Sequence, residues 1–185
     1  IDVDIKDIDY IIISHNHKDH IACLEKVLKK SNAFLCVPKL MLEEMQELQN
    51  YEKIIFFEDD LALEDITIKS FKSSHDAVDS RNFIISDGSS SFAYITDTGY
   101  VNQKYFSLLK NLNLYLFESN HDIEMLENGP YPDWLKQRVL SDVGHLSNNA
   151  AGFYLSKLIG PNTKEVLLIH LSETNNNPEK ALETV

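Results

Sequence analysis

Tyr10-Ile11-Ile12-Ile13-Ser14-His15-Asn16-His17-Lys18-Asp19-His20 decides how the rest of the chain is read. Its first four residues are an apolar run of the kind that fills a buried parallel strand. The next seven carry three imidazoles and a carboxylate, and a strand that stops in such a loop is a platform for a metal. At this composition H-x-H-x-D-H arises by chance on the order of once in a thousand shuffles, so a merely solvated polar loop is the weaker reading. Side chains of an extended chain repeat every two residues, which points His15 and His17 to one side, toward one cation. Asp19 and His20 fall past the turn, where the next helix starts, and face a second point. Neutral imidazole with carboxylate suits zinc, manganese or iron, whereas calcium prefers oxygen throughout. Two cations roughly 3.5–4 Å apart are the arrangement of phosphoester hydrolases.

A chain of 185 residues, 43% hydrophobic and 25% charged, is long enough for a sizeable core and reads as one soluble domain over residues 1–185. No run approaches the roughly 18 apolar residues of a membrane span, and no signal stretch opens the chain. Cys23 and Cys36 form no C-x-x-C pair and no disulfide ladder, which suits a reducing cytoplasm. Cys23 is expected on the apolar face of its helix as a buried thiol. Richness in Ile, Lys and Asn suggests an AT-rich bacterial genome. The net charge of -12 argues against broad affinity for nucleic acid. A local positive site is still open to it: two divalent cations set against Asp19, Asp97 and a hydroxide leave about one net positive charge.

Outward from the loop, residues 19–30 place Ile21, Leu24, Val27 and Leu28 at helical spacing, with Lys26, Lys29 and Lys30 where the helix dipole favours cations. Residues 33–37 form the next strand, stopped by Pro38, and residues 39–49 a second helix. Strand and helix in alternation predict α/β layering. Residues 54–57 and 66–71 read as strands separated by the acidic loop Glu58-Asp59-Asp60, and residues 81–86 and 92–96 as a hairpin about Asp87-Gly88. Asn102 caps a helix through Lys110, and residues 112–117 form a strand. Ser147 caps a helix over residues 148–158, and residues 165–169 are the last clear strand before a terminal helix begun by Asn175-Asn176-Asn177-Pro178.

Polar groups collect where these strands stop. His75, in Ser73-Ser74-His75-Asp76-Ala77, is the natural third imidazole beside His15 and His17. Asp97, before Thr98-Gly99, is either a turn residue bonding backbone or a carboxylate whose two oxygens reach two cations. Glu118-Ser119-Asn120-His121-Asp122 closes another strand, with His121 approaching the metals, orienting a ligand or packing. His170 ends the last strand and supplies an imidazole to the second site. Gly129-Pro130-Tyr131-Pro132 breaks the segment that goes on to Trp134, Lys136 and Arg138. Aromatic and basic residues together stack on bases and hold phosphates; a short amphipathic helix docking Trp134 into the core explains them equally.

SHNHKDH (14–20) behind an apolar strand resembles the hallmark of the metallo-β-lactamase-fold hydrolases. FKSSHDA (71–77), YITDTGYV (94–101), FESNHD (117–122), SDVGHLSN (141–148) and LLIHLSETNN (167–176) resemble one bacterial subfamily, the YycJ/WalJ-like metal-dependent nucleases, over residues 8–177. The resemblance implies an α/β fold, the four-layer αββα sandwich of metallo-β-lactamase type. It implies a first metal site of His15, His17 and His75, a second of Asp19, His20 and His170, and Asp97 shared, holding two divalent ions, zinc or manganese. Asp19 counts among the catalytic residues as well. In the related tRNA 3′-processing endonucleases a Gly-His-Ser segment and a strand-end Glu form a proton-donating pair, which by resemblance falls on His145 and Glu118. A histidine oriented by a carboxylate is a general acid near neutral pH; a helix-entry histidine bonding backbone is the other account of His145. His121 and Asp142 are then expected behind the ligands, and Asn120, Lys136 and Arg138 along the substrate groove. Family members begin with a strand pair and a Ser/Gly-rich loop and close with further strands, so this chain, opening at Ile1, is expected to be incomplete at both ends.

The reaction implied is hydrolysis of a nucleic-acid phosphodiester at a DNA end, with RNA as the other polynucleotide, by a water the cations ionise and a leaving oxygen that His145 protonates. No membrane is involved. A phosphodiesterase for small cyclic nucleotides would use identical ligands. A metal-stabilised nucleic-acid-binding module without catalysis is disfavoured by the intact ligand set, and a β-lactam or thioester hydrolase by Gly144-His145-Leu146-Ser147.

Overall fold

The computed structural model describes residues 3–185, so the opening Ile1 lies outside the described residues. The apolar run forms strand β1 (Tyr10–Ile12), half-buried, and the polar loop stops it. The helix expected over 19–30 is two, α1 (Lys18–Ile21) and α2 (Leu24–Ser31). Cys23 sits exposed at their joint rather than buried, while Cys36 is buried. Strand β2 (Phe34–Val37) ends at Pro38, which starts α3 (Lys39–Glu43); the second half of the expected helix is only a 3₁₀ turn, Gln46–Leu48. With β3 (Ile54–Phe56) these strands make a parallel sheet in the order β1-β2-β3.

The second sheet opens with β4 (Asp60–Leu63), which takes up the end of the stretch expected as an acidic loop; its Asp60 pairs in register with Lys69. Strands β5 (Ile66–Lys72), β6 (Arg81–Ser86) and β7 (Ser91–Ile95) follow as an antiparallel meander. Asn102 caps a 3₁₀ turn that runs into α4 (Phe106–Leu109), and β8 (Leu114–Glu118) then joins parallel to β7. The broken segment forms α5 (Ile123–Asn128) and α6 (Asp133–Leu140). Helix α7 (Asn148–Leu158), capped by the Ser147 side chain as its position predicts, leads to β9 (Glu165–Ile169), parallel to β8, and the chain closes with α8 (Pro178–Thr184). Among the described residues, no helix is long and apolar enough to cross a membrane.

Three apolar clusters define four layers, αββα. Leu24 and Leu28 of α2, Met41 of α3 and Met45 just after it pack on Leu35 and Val37, on the outer face of the three-stranded sheet. Cys36, Phe57, Leu63, Ile68 and Phe83 fill the space between the sheets. Ala93, Ile95, Tyr115 and Phe117, alternate residues of β7 and β8, meet Ala151, Leu155 and Leu158 of α7 on the far side. Because β5 and β7 both run against β6, and β8 and β9 run with β7, four strands deliver their C-terminal ends to one edge of the second sheet. That edge is where the polar motifs fall.

Tyr115 ties the cluster under α7 to its loops. Its hydroxyl, fully buried, donates to the Leu109 carbonyl (2.6 Å) and accepts from the Leu112 amide (3.1 Å). Tyr115→Phe strands both groups in the core and is expected to lower stability by about 1–3 kcal/mol, read as a fall in denaturant midpoint at constant slope.

Candidate metal centre

Five strand ends carry the site. β1 leads into His15 and His17, β5 into His75, β7 into Asp97, β8 ends at Glu118, and β9 leads into His170. Asp97 and His170 leave their strands in the left-handed region, with φ of 48° and 57°. Non-glycine residues hold that conformation only where neighbours impose it. The Ser73 hydroxyl donates to the Asp97 carbonyl, and the Asn120 amide donates to the His170 carbonyl at 2.9 Å.

Asp97 lies at the centre, 2% exposed. From its oxygens, His20 Nε2 is 3.2 Å away, His75 Nε2, His145 Nδ1 and His170 Nε2 are each 3.6 Å, and His15 Nε2 is 3.9 Å. His17 Nδ1 stands 3.2 Å from His75 Nε2. The structure thus brings His15, His17 and His75 into one group and Asp19, His20 and His170 into another, the ligand atoms of each within 4.8 Å of one another, with His15, His20 and Asp97 forming a group between them.

The donor set fits cations. His75 donates Nδ1–H toward the Val143 and Gly144 carbonyls (3.1 and 3.3 Å), His170 Nδ1 is bonded to Glu118 (2.9 Å) and His15 Nδ1 to the Ser14 hydroxyl (3.2 Å), so each turns Nε2 inward. An imidazole anchored on one nitrogen and open on the other is the arrangement of a metal ligand. His15 Nε2 is buried without a hydrogen-bond partner among the described residues. Ligands of one tetrahedral zinc stand about 3.3 Å apart at bond lengths near 2.0–2.1 Å, close to the His17–His75 separation. Burial pushes the His15 ring down to about 3 and lowers His75 as well, so both are neutral and offer lone pairs. Burial would raise the Asp97 carboxyl, but bonds from His20 and Thr96 and the nearby His170 ring hold it well below the usual carboxylate range. Burial also opposes charge on His170, yet its bond to Glu118 and the Asp97 carboxylate outweigh that and raise it to about 9.

Glu118, 0% exposed, has every lone pair in use. Oε1 accepts from His145 Nδ1 (2.8 Å) and His170 Nδ1 (2.9 Å), and Oε2 from the amides of Thr98 (2.9 Å) and Leu146 (3.4 Å). It therefore orients two imidazoles rather than standing ready as a ligand. His145 rides on a loop whose backbone is tightly packed: a side chain at Gly144 would meet the Val139 carbonyl at 2.2 Å.

The remaining residues singled out in the sequence fall as follows. Asn120 lines an open cavity of about 380 Å³ with Tyr131, Arg138, His145, His170 and Ser172. Arg138 reaches across to Asp76, 62 residues away, in a two-pronged pair of 2.7 and 2.8 Å. Lys136 lies outside the cavity wall, donating to the Glu127 carbonyl. Asp142 contributes its carbonyl, which accepts from the Ser74 hydroxyl at 2.7 Å. His121 is buried with neither ring nitrogen bonded, and burial pushes it down to about 4, so it is neutral and packed behind His145. Sequence reasoning missed Asp76; its place directly after His75 was the only signal, and nothing local paired it with Arg138.

A family model described as a beta-lactamase superfamily domain matches residues 2–171. The chain is 36% identical over 185 residues to "Exodeoxyribonuclease YycJ" of Bacillus anthracis, spanning 97% of this chain and 70% of that protein. It is 37% identical over 183 residues to "Exodeoxyribonuclease WalJ" of Streptococcus pneumoniae serotype 2, spanning 95% and 68%. Among solved structures it resembles the metallo-beta-lactamase fold protein YhfI of Bacillus subtilis, with a TM-score of 0.76 and 22% identity over 98% of this chain and 71% of that one. It also resembles the short form of human tRNase Z, with a TM-score of 0.68 and 16% identity over 92% and 75%. Both structural likenesses bear on the fold.

Glu118→Gln keeps the shape but sets an NH₂ group against either two imidazole donors or two backbone donors. Metal affinity, measured by competition with a chromogenic chelator, is expected to fall about 10–100-fold through misorientation of His170. Undiminished affinity would show that Glu118 does not position that ring.

Proposed function

This chain belongs to the metallo-β-lactamase superfamily, and on that premise we propose that it is a dinuclear-metal hydrolase that cleaves DNA phosphodiester bonds from an end. The supporting observation is Asp97, buried between two groups of three inward-turned ligand atoms and facing the His145–Glu118 pair. In this reading His15, His17 and His75 would hold one cation and Asp19, His20 and His170 the other, with Asp97 available to both groups. What two divalent cations supply when bound is a lowered pKa for water and neutralisation of phosphoryl oxygens.

The chain's own residues supply the rest. Glu118 accepts from His145 Nδ1 and so orients the ring; in its doubly protonated form His145 would give the Nε2 proton to the leaving oxygen and keep Nδ1–H on Glu118. Asn120 holds the His170 carbonyl and so keeps that ring aimed inward. Arg138 has Nε and Nη2 fixed on Asp76, and its Nη1 is the donor left for a phosphate oxygen. DNA as substrate rests on the relatives named exodeoxyribonucleases.

The test is an assay of the full protein on end-labelled single-stranded and duplex DNA, with zinc or manganese. Progressive shortening is expected, abolished by a chelator, restored by the metal and absent in Asp97→Ala. Hydrolysis of cyclic nucleotides without any cleavage of DNA would replace this reading with a small-molecule phosphodiesterase. His145→Ala is expected to retain its metal content and lose about 10²–10⁴ in kcat, checked by single-turnover kinetics beside elemental analysis.

A further inference from the structure

Two asparagines behind the site, Asn148 and Asn176, are 0% and 5% exposed, and neither touches the His145–Glu118 pair through its side chain. Their amides are joined both ways: Asn148 Nδ2 donates to Asn176 Oδ1 (3.0 Å), and Asn176 Nδ2 donates to Asn148 Oδ1 (2.9 Å). Asn176 Nδ2 also reaches the carbonyls of Ser119 and Asn120 (2.8 and 3.2 Å), and the Ser119 hydroxyl donates to Asn148 Oδ1 at 2.6 Å. An amide taken out of water is costly unless bonded, and a set as fully bonded as this one rigidifies what it joins.

What it joins are three segments that each carry a group of the site. Residues 118–121 begin at Glu118, residues 145–148 at His145 and residues 170–176 at His170. Backbone bonds tie the first segment to each of the others: the Asn148 amide donates to the His121 carbonyl (2.9 Å), the Asn120 amide to the Leu146 carbonyl (2.8 Å) and the Ser172 amide to the Asn120 carbonyl (2.8 Å). Between the His145 loop and the His170 segment, the Asn148–Asn176 amide pair is the one hydrogen-bonded link among the described residues. Glu118 sets the orientation of the His145 ring, but the separation of that loop from the His170 segment is left to the amides.

We propose that Asn176 is a positioning residue for proton delivery: through Asn148 it holds the His145 loop against the His170 segment, and so places the His145 ring where its proton reaches the leaving oxygen. The proposal rests on the phosphodiesterase reading above and names what keeps that site's proton donor in place. A shift of about 1 Å at a reacting group costs on the order of 10² in rate, so a device far from the chemistry has leverage on it.

The full protein, loaded with zinc, is assayed on DNA and on a p-nitrophenyl phosphodiester, whose leaving oxygen departs as a stable anion and needs no proton. For Asn176→Ala and Asn148→Ala, kcat on DNA is expected to fall about 10–100-fold at unchanged KM and zinc content, while the rate on the ester stays within about threefold. Added to His145→Ala, Asn176→Ala should cost little more, because both act on one step. Tyr115→Phe, a core loss away from the site, should show no such contrast between substrates. Equal losses on both substrates, a loss carried by KM, or full additivity with His145→Ala overturns the proposal. Should the alanine variants fail to fold, Ser119→Ala, which removes one bond of the set, is expected to show the same contrast at smaller size, and its absence there overturns the proposal as well. A readout apart from turnover is the imidazole NMR signal of the His145 Nδ1 proton, identified by its loss in His145→Gln, which Asn176→Ala is expected to shift or broaden. A parent protein that hydrolyses no phosphodiester sinks the hydrolase reading, and that signal then decides the positioning by itself: unmoved in Asn176→Ala, it refutes it.

Discussion

A carboxylate sealed from water among five imidazole rings is the constraint around which this molecule is arranged. Taking a carboxylate out of water costs several kcal/mol even after relaxation, and it persists only with charged or strongly bonding partners. Asp97 has five imidazole nitrogens within 3.9 Å, yet burial pushes His15 and His75 away from the charged form. Burial opposes charge on His170 too, but its bond to Glu118 and the Asp97 carboxylate raise it to about 9, and it is the ring there that holds a positive charge. Neutral rings such as His15 and His75 beside a buried carboxylate are a set of lone-pair donors of the kind that divalent metals complete.

Strain follows from that demand. Asp97 and His170 follow β7 and β9 in the left-handed region. A conformation costing of order 1–3 kcal/mol survives only when over-determined. Here the determinants are Ser73 on the Asp97 carbonyl, the Thr96 hydroxyl on its carboxylate at 2.6 Å, and Asn120 on the His170 carbonyl. The three apolar clusters supply the stability against which this cost is set. Glu118 extends the logic, since one buried carboxylate fixes the orientation of His170 and of His145 together, coupling a metal-side ring to a proton-carrying one.

What could be read beforehand divides along physical lines. Periodicity placed α7 and β9 to the residue, because each has a clear cap or a clean apolar run. The helix over 19–30 was misjudged because spacing shows which face is apolar and not where the backbone turns; α1 must end early to turn His20 inward while α2 packs on β2. β4 was hidden by charge, since an edge strand tolerates Asp60 at its exposed positions. The histidines and Asp97 were legible as a set because their chemistry is uncommon at strand ends. Arg138–Asp76 was not, since a pair 62 residues apart is decided by the packing of α6 against the loop after β5, which no local pattern encodes.

The acidic balance of the chain bears on the kind of encounter such a site permits. Beyond a Debye length of about 8 Å at physiological salt, the charge of -12 is largely screened, but a duplex laid along the surface would bring its phosphates well inside that distance. In the proposed reading, approach by an end would expose only a few phosphates to the protein. Lys136 is turned away to the Glu127 carbonyl and Lys72 is tied to Asp79, so the cations available near the cavity are few and fixed. A site built this way holds substrate by placement at the reacting bond more than by affinity along the strand. Binding energy confined to the region where charge develops favours the chemical step over mere retention.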